Sequence, residues 1–130
     1  MPENLDLVRS IYANWERGDF THDDWADPEI ELIRPESLDG DAITGRAASA
    51  AGWRQWLDAW KEFRAEAREY RVLDDERVLV FGFMTGTGML GGTPTETETI
   101  NLFQLRGGRV VRLVLYANRA RALADLGLGE

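Results

Sequence analysis

The sequence predicts an α+β domain, with helices first and a run of antiparallel strands after them. Three observations predict it. Up to Phe63 the apolar residues recur mainly at helical spacing; from Ala65 to Tyr116 the period drops to two. A Gly107-Gly108 pair between two strand-like runs supplies the positive φ of a two-residue hairpin turn. Helices followed by such strands pack onto one face of a meander.

The elements follow in order. Leu5, Val8, Ile11, Tyr12 and Trp15 form one helical stripe, with Gly18 as its stop. Thr21-His22-Asp23-Asp24 has the spacing of a capping box and predicts a short helix carrying Trp25, closed by Asp27-Pro28. Ile30 to Arg34 alternates as a short strand ending at Pro35. A polar loop with Asp39-Gly40 and Gly45 leads to a second long helix, whose stripe is Trp53, Trp56, Leu57, Trp60 and Phe63. Strands are then expected over Ala65–Leu73, Arg77–Thr85, Thr95–Leu105 and Arg109–Tyr116. Asp74-Asp75-Glu76 is the first turn between them, and Gly86 to Pro94 is a loop. Asn118 caps a short terminal helix with Ala120, Leu123 and Ala124.

Composition bounds the function. The 130 residues suit one domain, 1–130. Cysteine is absent and His22 is the single histidine, which removes disulfides, thiolate nucleophiles and multi-histidine metal sites. No metal or organic cofactor is expected. A net charge of −8 disfavours nucleic acid, and no apolar run is long enough to span a membrane. The acidic start of the chain is unlike a secretory signal, so the expected compartment is cytoplasmic. Arg64, Arg68 and Arg71, like Arg106, Arg109 and Arg112, read as a solvated outer face. Gly86-Thr87-Gly88-Met89-Leu90-Gly91 matches a dinucleotide-binding fingerprint, but Gly92-Thr93-Pro94 and a strand follow it. The helix that would meet a pyrophosphate is missing, so the run reads as a hairpin loop. Asp23-Asp24 and Asp74-Asp75 read as caps and turns.

Three stretches carry a family resemblance: Leu7–Tyr12 through Arg17-Gly18-Asp19-Phe20, Trp25 to Glu31, and Phe103 to Arg112. Together they resemble the SnoaL-like branch of the nuclear transport factor 2-like superfamily. The resemblance covers nearly the whole chain. It implies a cone-shaped, curved antiparallel sheet with helices on its concave face, enclosing an apolar pocket. It implies no one function, since relatives include ketosteroid isomerases, polyketide cyclases, epoxide hydrolases, dehydratases and binding domains. Aligned on the glycine hairpin, Thr97, Thr99, Asn101, Phe103 and Leu105 face inward. So do Leu113, Leu115 and Ala117, and Phe81, Phe83 and Thr85. Glu96, Glu98, Leu102 and Gln104 face out.

The same alignment argues against the known chemistries. A ketosteroid isomerase needs a carboxylate base where this chain has Arg34. Its oxyanion hole needs a phenol and a protonated carboxyl, which fall on Ile11 and Asn101. The acid of SnoaL-type cyclases falls on Leu115. An Asp–Arg–Asp set like that of epoxide hydrolases is not found. His22 reads as a surface residue rather than a base.

Two residues remain as polar candidates. Arg34 is an anion-binding group, the structural partner of a nearby acid such as Glu36 or Asp39, or a rim residue in water. Asn101 is either a donor to a ligand oxyanion or bonded to the neighbouring strand or Thr99. The expected ligand site is therefore Arg34, Asn101 and Thr99 against walls of Trp15, Trp56, Trp60, Phe81, Phe83 and Phe103. A small-molecule-binding domain for an apolar, anionic ligand is the first expectation. The alternative is a cofactor-free isomerase, cyclase or hydrolase acting on a hydrophobic carbonyl or polycyclic compound. A homodimer through the convex face is expected from Ile100, Leu102, Val110, Val114 and Tyr116.

Overall fold

The structure is a computed structural model and describes residues 2–19, 24–34, 42–57, 60–88, 94–116 and 118–127. Its described elements are helices α1 (Pro2–Glu16), α2 (Arg46–Leu57) and α3 (Arg119–Asp125) with six strands. The strands are β1 (Ala26–Ile33), β2 (Ala42–Thr44), β3 (Trp60–Val72), β4 (Arg77–Gly88), β5 (Pro94–Arg106) and β6 (Arg109–Tyr116). They form one sheet in the order β2-β1-β6-β5-β4-β3. The α+β class holds. One pairing departs from a meander: β1 runs parallel to β6, so the sheet is mixed.

The sheet is curved, and the contacts agree with that. Helix α2 touches both β1 and β3, although β6, β5 and β4 lie between them in the sheet. Two irregularities help the bend. Opposite Gly82, the register of β3 slips between Ala67 and Glu69. A Cβ at Gly82 would lie 2.0 Å from the Glu66 carbonyl oxygen, so only glycine lets the two backbones come this close. The second slip, between Gln104 and Leu105, leaves Val111 without a partner on β5.

Helix α1 lies on the concave face. Val8, Ile11, Tyr12 and Trp15 are buried there against Ala65, Val78, Val80, Phe103, Leu105, Val110 and Leu113. Its end is a glycine-terminated turn: Gly18 has φ 79, its N–H donates to Trp15 O, and Asp19 N donates to Asn14 O. Helix α3 lies on the other face. Ala122 and Leu123 pack there with Leu79, Phe81, Ile100, Leu102, Val114 and Tyr116. Its cap is Asn118, whose side chain accepts from Arg121 N at 2.9 Å.

Several expectations change. Trp25 lies in a turn, and Asp27-Pro28 belongs to β1 rather than closing a helix. Pro28 is tolerated because the pairing of β1 with β6 is interrupted between Ala26 and Glu31. Thr21, His22 and Asp23 lie outside the described residues, as do Glu36 and Asp39. The loop before the second helix contains β2. That helix stops at Leu57, so Trp60 and Phe63 belong to β3 and do not extend its stripe. Gly86 to Gly88 is strand, while residues 89–93 lie outside the described residues.

The facing of β4 is opposite to expectation. Val80 pairs with Asn101 and Phe81 with Ile100, so Val78, Val80 and Met84 share the concave face with Asn101. Phe81 and Phe83 point outward. Arg71 and Arg119 stack over Phe81 at 5.0 and 4.3 Å, and Arg68 over Phe83 at 4.4 Å. Val110 points inward because of the slip beside Leu105. The other residues of the expected dimer patch are buried by the chain itself: Ile100 is 0% exposed, Leu102 6%, and Val114 and Tyr116 7% each. The motive for a second subunit over that patch is met by α3.

Gly82 gives the first prediction. Gly82→Ala would push β3 away from β4 and lower stability by about 1–3 kcal/mol, the usual cost of overpacking. Urea unfolding of both proteins checks it; a loss within error of zero would mean that the close approach is not required.

Candidate functional site

The site is built from the sheet's inner curve upward. Strand β5 presents Thr97, Thr99, Asn101 and Phe103 on one face by simple alternation. Trp15 reaches that face from the last turn of α1. Rings then gather around Tyr12. It meets Trp15, Phe103 and Tyr70 edge-on at centroid distances of 5.0, 5.9 and 6.1 Å. Trp15 also meets Trp25 at 6.1 Å. Such contacts add roughly 0.5–1.5 kcal/mol each to burial alone.

One buried polar contact crosses this cluster. Asn101 Nδ2 donates to the Tyr12 hydroxyl at 2.7 Å. The two residues are 6% and 1% exposed. Burial raises the Tyr12 phenol well above its ordinary range; the Asn101 bond opposes this and Tyr70 adds to it. Tyr70 is also raised, first by burial, then by Glu16, with Arg9 opposing.

Beside the cluster lies a cavity of about 190 Å³. Its wall is mostly apolar and includes Trp15, Leu32, Ile43, Phe63, Ala65, Met84 and Leu115. Arg34, Thr97, Thr99 and Asn101 supply polar groups, and Glu98 and Tyr116 border it as well. Arg34 follows the last residue of β1, so the strand brings it to the cavity. The beginning of β1 is held in turn by Arg46, which donates to the Ala26 carbonyl through Nε at 3.0 Å and through Nη2. Gly45 N donates to Ile30 O at 2.8 Å.

Of the residues expected from sequence, Arg34, Asn101, Thr99 and Trp15 border this one cavity. Phe103 stands behind it, fully buried against Tyr12 and Trp15. Phe81 and Phe83 do not contribute, because they face outward. Trp56 lies on α2 and Trp60 opens β3, but their side chains lie outside the described residues. Sequence reasoning missed Phe63, Met84 and Ile43. The phenol that meets Asn101 is Tyr12, the neighbour of the Ile11 singled out by the alignment. Both are buried, so the apolar stripe of α1 gives no sign of which meets Asn101. Among the described residues, no three His, Asp or Glu side chains cluster as a metal site would require. No described helix is long and apolar enough to cross a membrane.

The Tyr12 shift yields a pH prediction. The folded value lies above the unfolded one, so folding holds the phenolic proton more tightly. That stability is fully present below about pH 10, the unfolded value, and is lost as pH rises through the folded value. Urea midpoints between about pH 8 and about pH 11 should therefore fall with rising pH, and Tyr12→Phe should show a shallower fall. Parallel curves would contradict the assignment.

Residues 8–113 match the SnoaL-like domain family. No curated protein matches the sequence. Solved structures share the fold at low identity. An NTF2-like protein of unknown function from Burkholderia pseudomallei K96243 is 20% identical, with a TM-score of 0.76 over 95% of this chain and 97% of that one. A candidate SnoaL-like polyketide cyclase from Jannaschia sp. CCS1 is 16% identical, with a TM-score of 0.76 over 99% and 94%. TerC, co-crystallised with polyporic acid, is 20% identical, with a TM-score of 0.73 over 95% and 97%.

Proposed function

The chain belongs to the SnoaL-like domain family, and on that premise we propose that it binds a small, flat, apolar molecule carrying one anionic oxygen. The observation that carries this reading is the mostly apolar cavity of about 190 Å³ with Arg34 on its wall. A hollow of roughly 150 Å³ accepts benzene, so the size suits one substituted ring better than a polycycle. Trp15 and Phe63 offer rings for contact with such a ligand. Arg34 supplies the charge that an acid requires, and the apolar surroundings strengthen that interaction. TerC provides a precedent for an acid as the ligand of a protein with this fold.

Binding fits these walls better than catalysis does. Isomerase or hydrolase chemistry needs a base beside the ligand. Among the described residues that border the cavity, the carboxylate is Glu98, exposed and on the face of β5 opposite Thr97 and Thr99.

Benzoate is the simplest probe. It should quench or shift indole fluorescence in a saturable way, because Trp15 borders the cavity. Arg34→Met should weaken benzoate by roughly 1.5–3 kcal/mol, the range for hydrogen bonds to charged groups, and leave benzyl alcohol unaffected. Equal losses for the acid and the neutral compound would remove Arg34 from the site.

A further inference from the structure

We infer that the ligand also carries a hydrogen-bond donor, a hydroxyl on its ring, which is received by Asn101 and Thr99. This rests on the binding reading above and specifies the ligand further. The argument starts from what an asparagine side chain has to offer: two N–H donors at one end and a carbonyl oxygen at the other. The nitrogen end is turned toward α1, where it donates to the buried Tyr12 hydroxyl at 2.7 Å. The oxygen end therefore points away from that bond.

Asn101 Oδ1 has no hydrogen bond among the described residues, and yet it is not sealed off. The described side-chain polar atom that is sealed without a partner is Ser49 Oγ. Asn101 is only 6% exposed, and it borders the cavity. An amide oxygen that is neither bonded nor sealed, on a residue that borders the cavity, is the group Asn101 can offer to a ligand there. Thr99, two residues away on the same face of β5, repeats the arrangement. It is 7% exposed, borders the cavity, and its hydroxyl is likewise neither bonded nor sealed among the described residues. An amide oxygen only accepts, whereas a threonine hydroxyl accepts or donates. A ligand oxygen without a hydrogen would be repelled by Asn101; a hydroxyl would be held. This differs from the role expected of Asn101 from sequence, donation to an oxyanion: one amide N–H is taken by Tyr12, and the oxygen is the side-chain atom left without a hydrogen bond among the described residues.

The spacing agrees with one ring. Arg34 follows β1 and Asn101 lies on β5, with β6 between them. Two strand spacings are roughly 10 Å. A single ring with an acid at one end and a hydroxyl near the other covers that span together with its hydrogen bonds. The ligand class is then a hydroxy-substituted monocyclic aromatic acid.

The test is a titration of the full chain with benzoate, 3-hydroxybenzoate, 4-hydroxybenzoate and 4-methoxybenzoate, followed by calorimetry and indole fluorescence. At least one hydroxybenzoate should bind about tenfold more tightly than benzoate, the effect of one good hydrogen bond, and the methoxy compound should gain nothing. Saturable binding with equal affinity for benzoate and both hydroxy compounds would overturn this inference and leave the proposed function standing. An equal gain from methoxy would also overturn it, since no donor would then be needed. Failure of all four to bind saturably would overturn both readings. Replacing the pair together, Tyr12→Phe with Asn101→Leu, removes the contact without leaving either partner orphaned. In that protein the advantage of the hydroxyl should shrink to what Thr99 alone supplies; an undiminished tenfold advantage would overturn the assignment to Asn101. The wild-type series decides the matter even where the double variant does not fold.

Discussion

The bend of the sheet at Gly82 is the constraint on which the site depends. There the Glu66 carbonyl occupies the space that any side chain at position 82 would need. The close approach, with the register slip opposite it, helps bring the two ends of the sheet round until α2 touches both β1 and β3. A flat sheet would present its inner face as a plane and enclose nothing. Curved, it converts the alternate residues of β5 into one wall of a hollow.

What fills that hollow is divided between two environments. Part is occupied by the chain's own rings, packed around Tyr12 and tied through its hydroxyl to Asn101. The rest remains as the cavity, floored by side chains that the ring cluster holds in place. Trp15 belongs to both, since it packs on Tyr12 and Phe103 and also borders the cavity. The Tyr12–Asn101 bond does two things here. It satisfies a phenol that burial would otherwise leave unpaired, and it fixes which end of the amide is turned away from the helix.

The parts legible in the sequence were those with one plausible face. The α1 stripe, the Gly107-Gly108 turn and the Asn118 cap have unambiguous local chemistry. Strand β4 does not. Val78, Leu79, Val80 and Phe81 are all buried, because α1 covers one face and α3 the other. Alternation then has no sign, and the larger rings were assigned inward when the register sends them out. Trp60 failed for a different reason: its spacing from Trp56 fits a helix, and the change from α2 to β3 leaves no proline or glycine as a marker. Arg34 and Asn101 were legible because each stands in a strand pattern whose alternation is otherwise clear. The orientation of the Asn101 amide was not, since it depends on a partner 89 residues away.

The arginine stacks on the outer face have a consequence for solubility of the assembled sheet. Strand β3 is 13 residues long and is the last in the strand order, so one row of its backbone groups is left without a neighbouring strand. A long edge left open in this way can recruit strands from other chains. Here Arg64, Arg68 and Glu69 are exposed along it, and Arg68 and Arg71 lay their guanidinium planes over Phe83 and Phe81. The same side chains thus hide two outward aromatic rings and place charge along the open edge. A second chain approaching to add a strand would have to desolvate that charge and lift the arginines from the rings, and the bulge beside Ala67 spoils the register it would need.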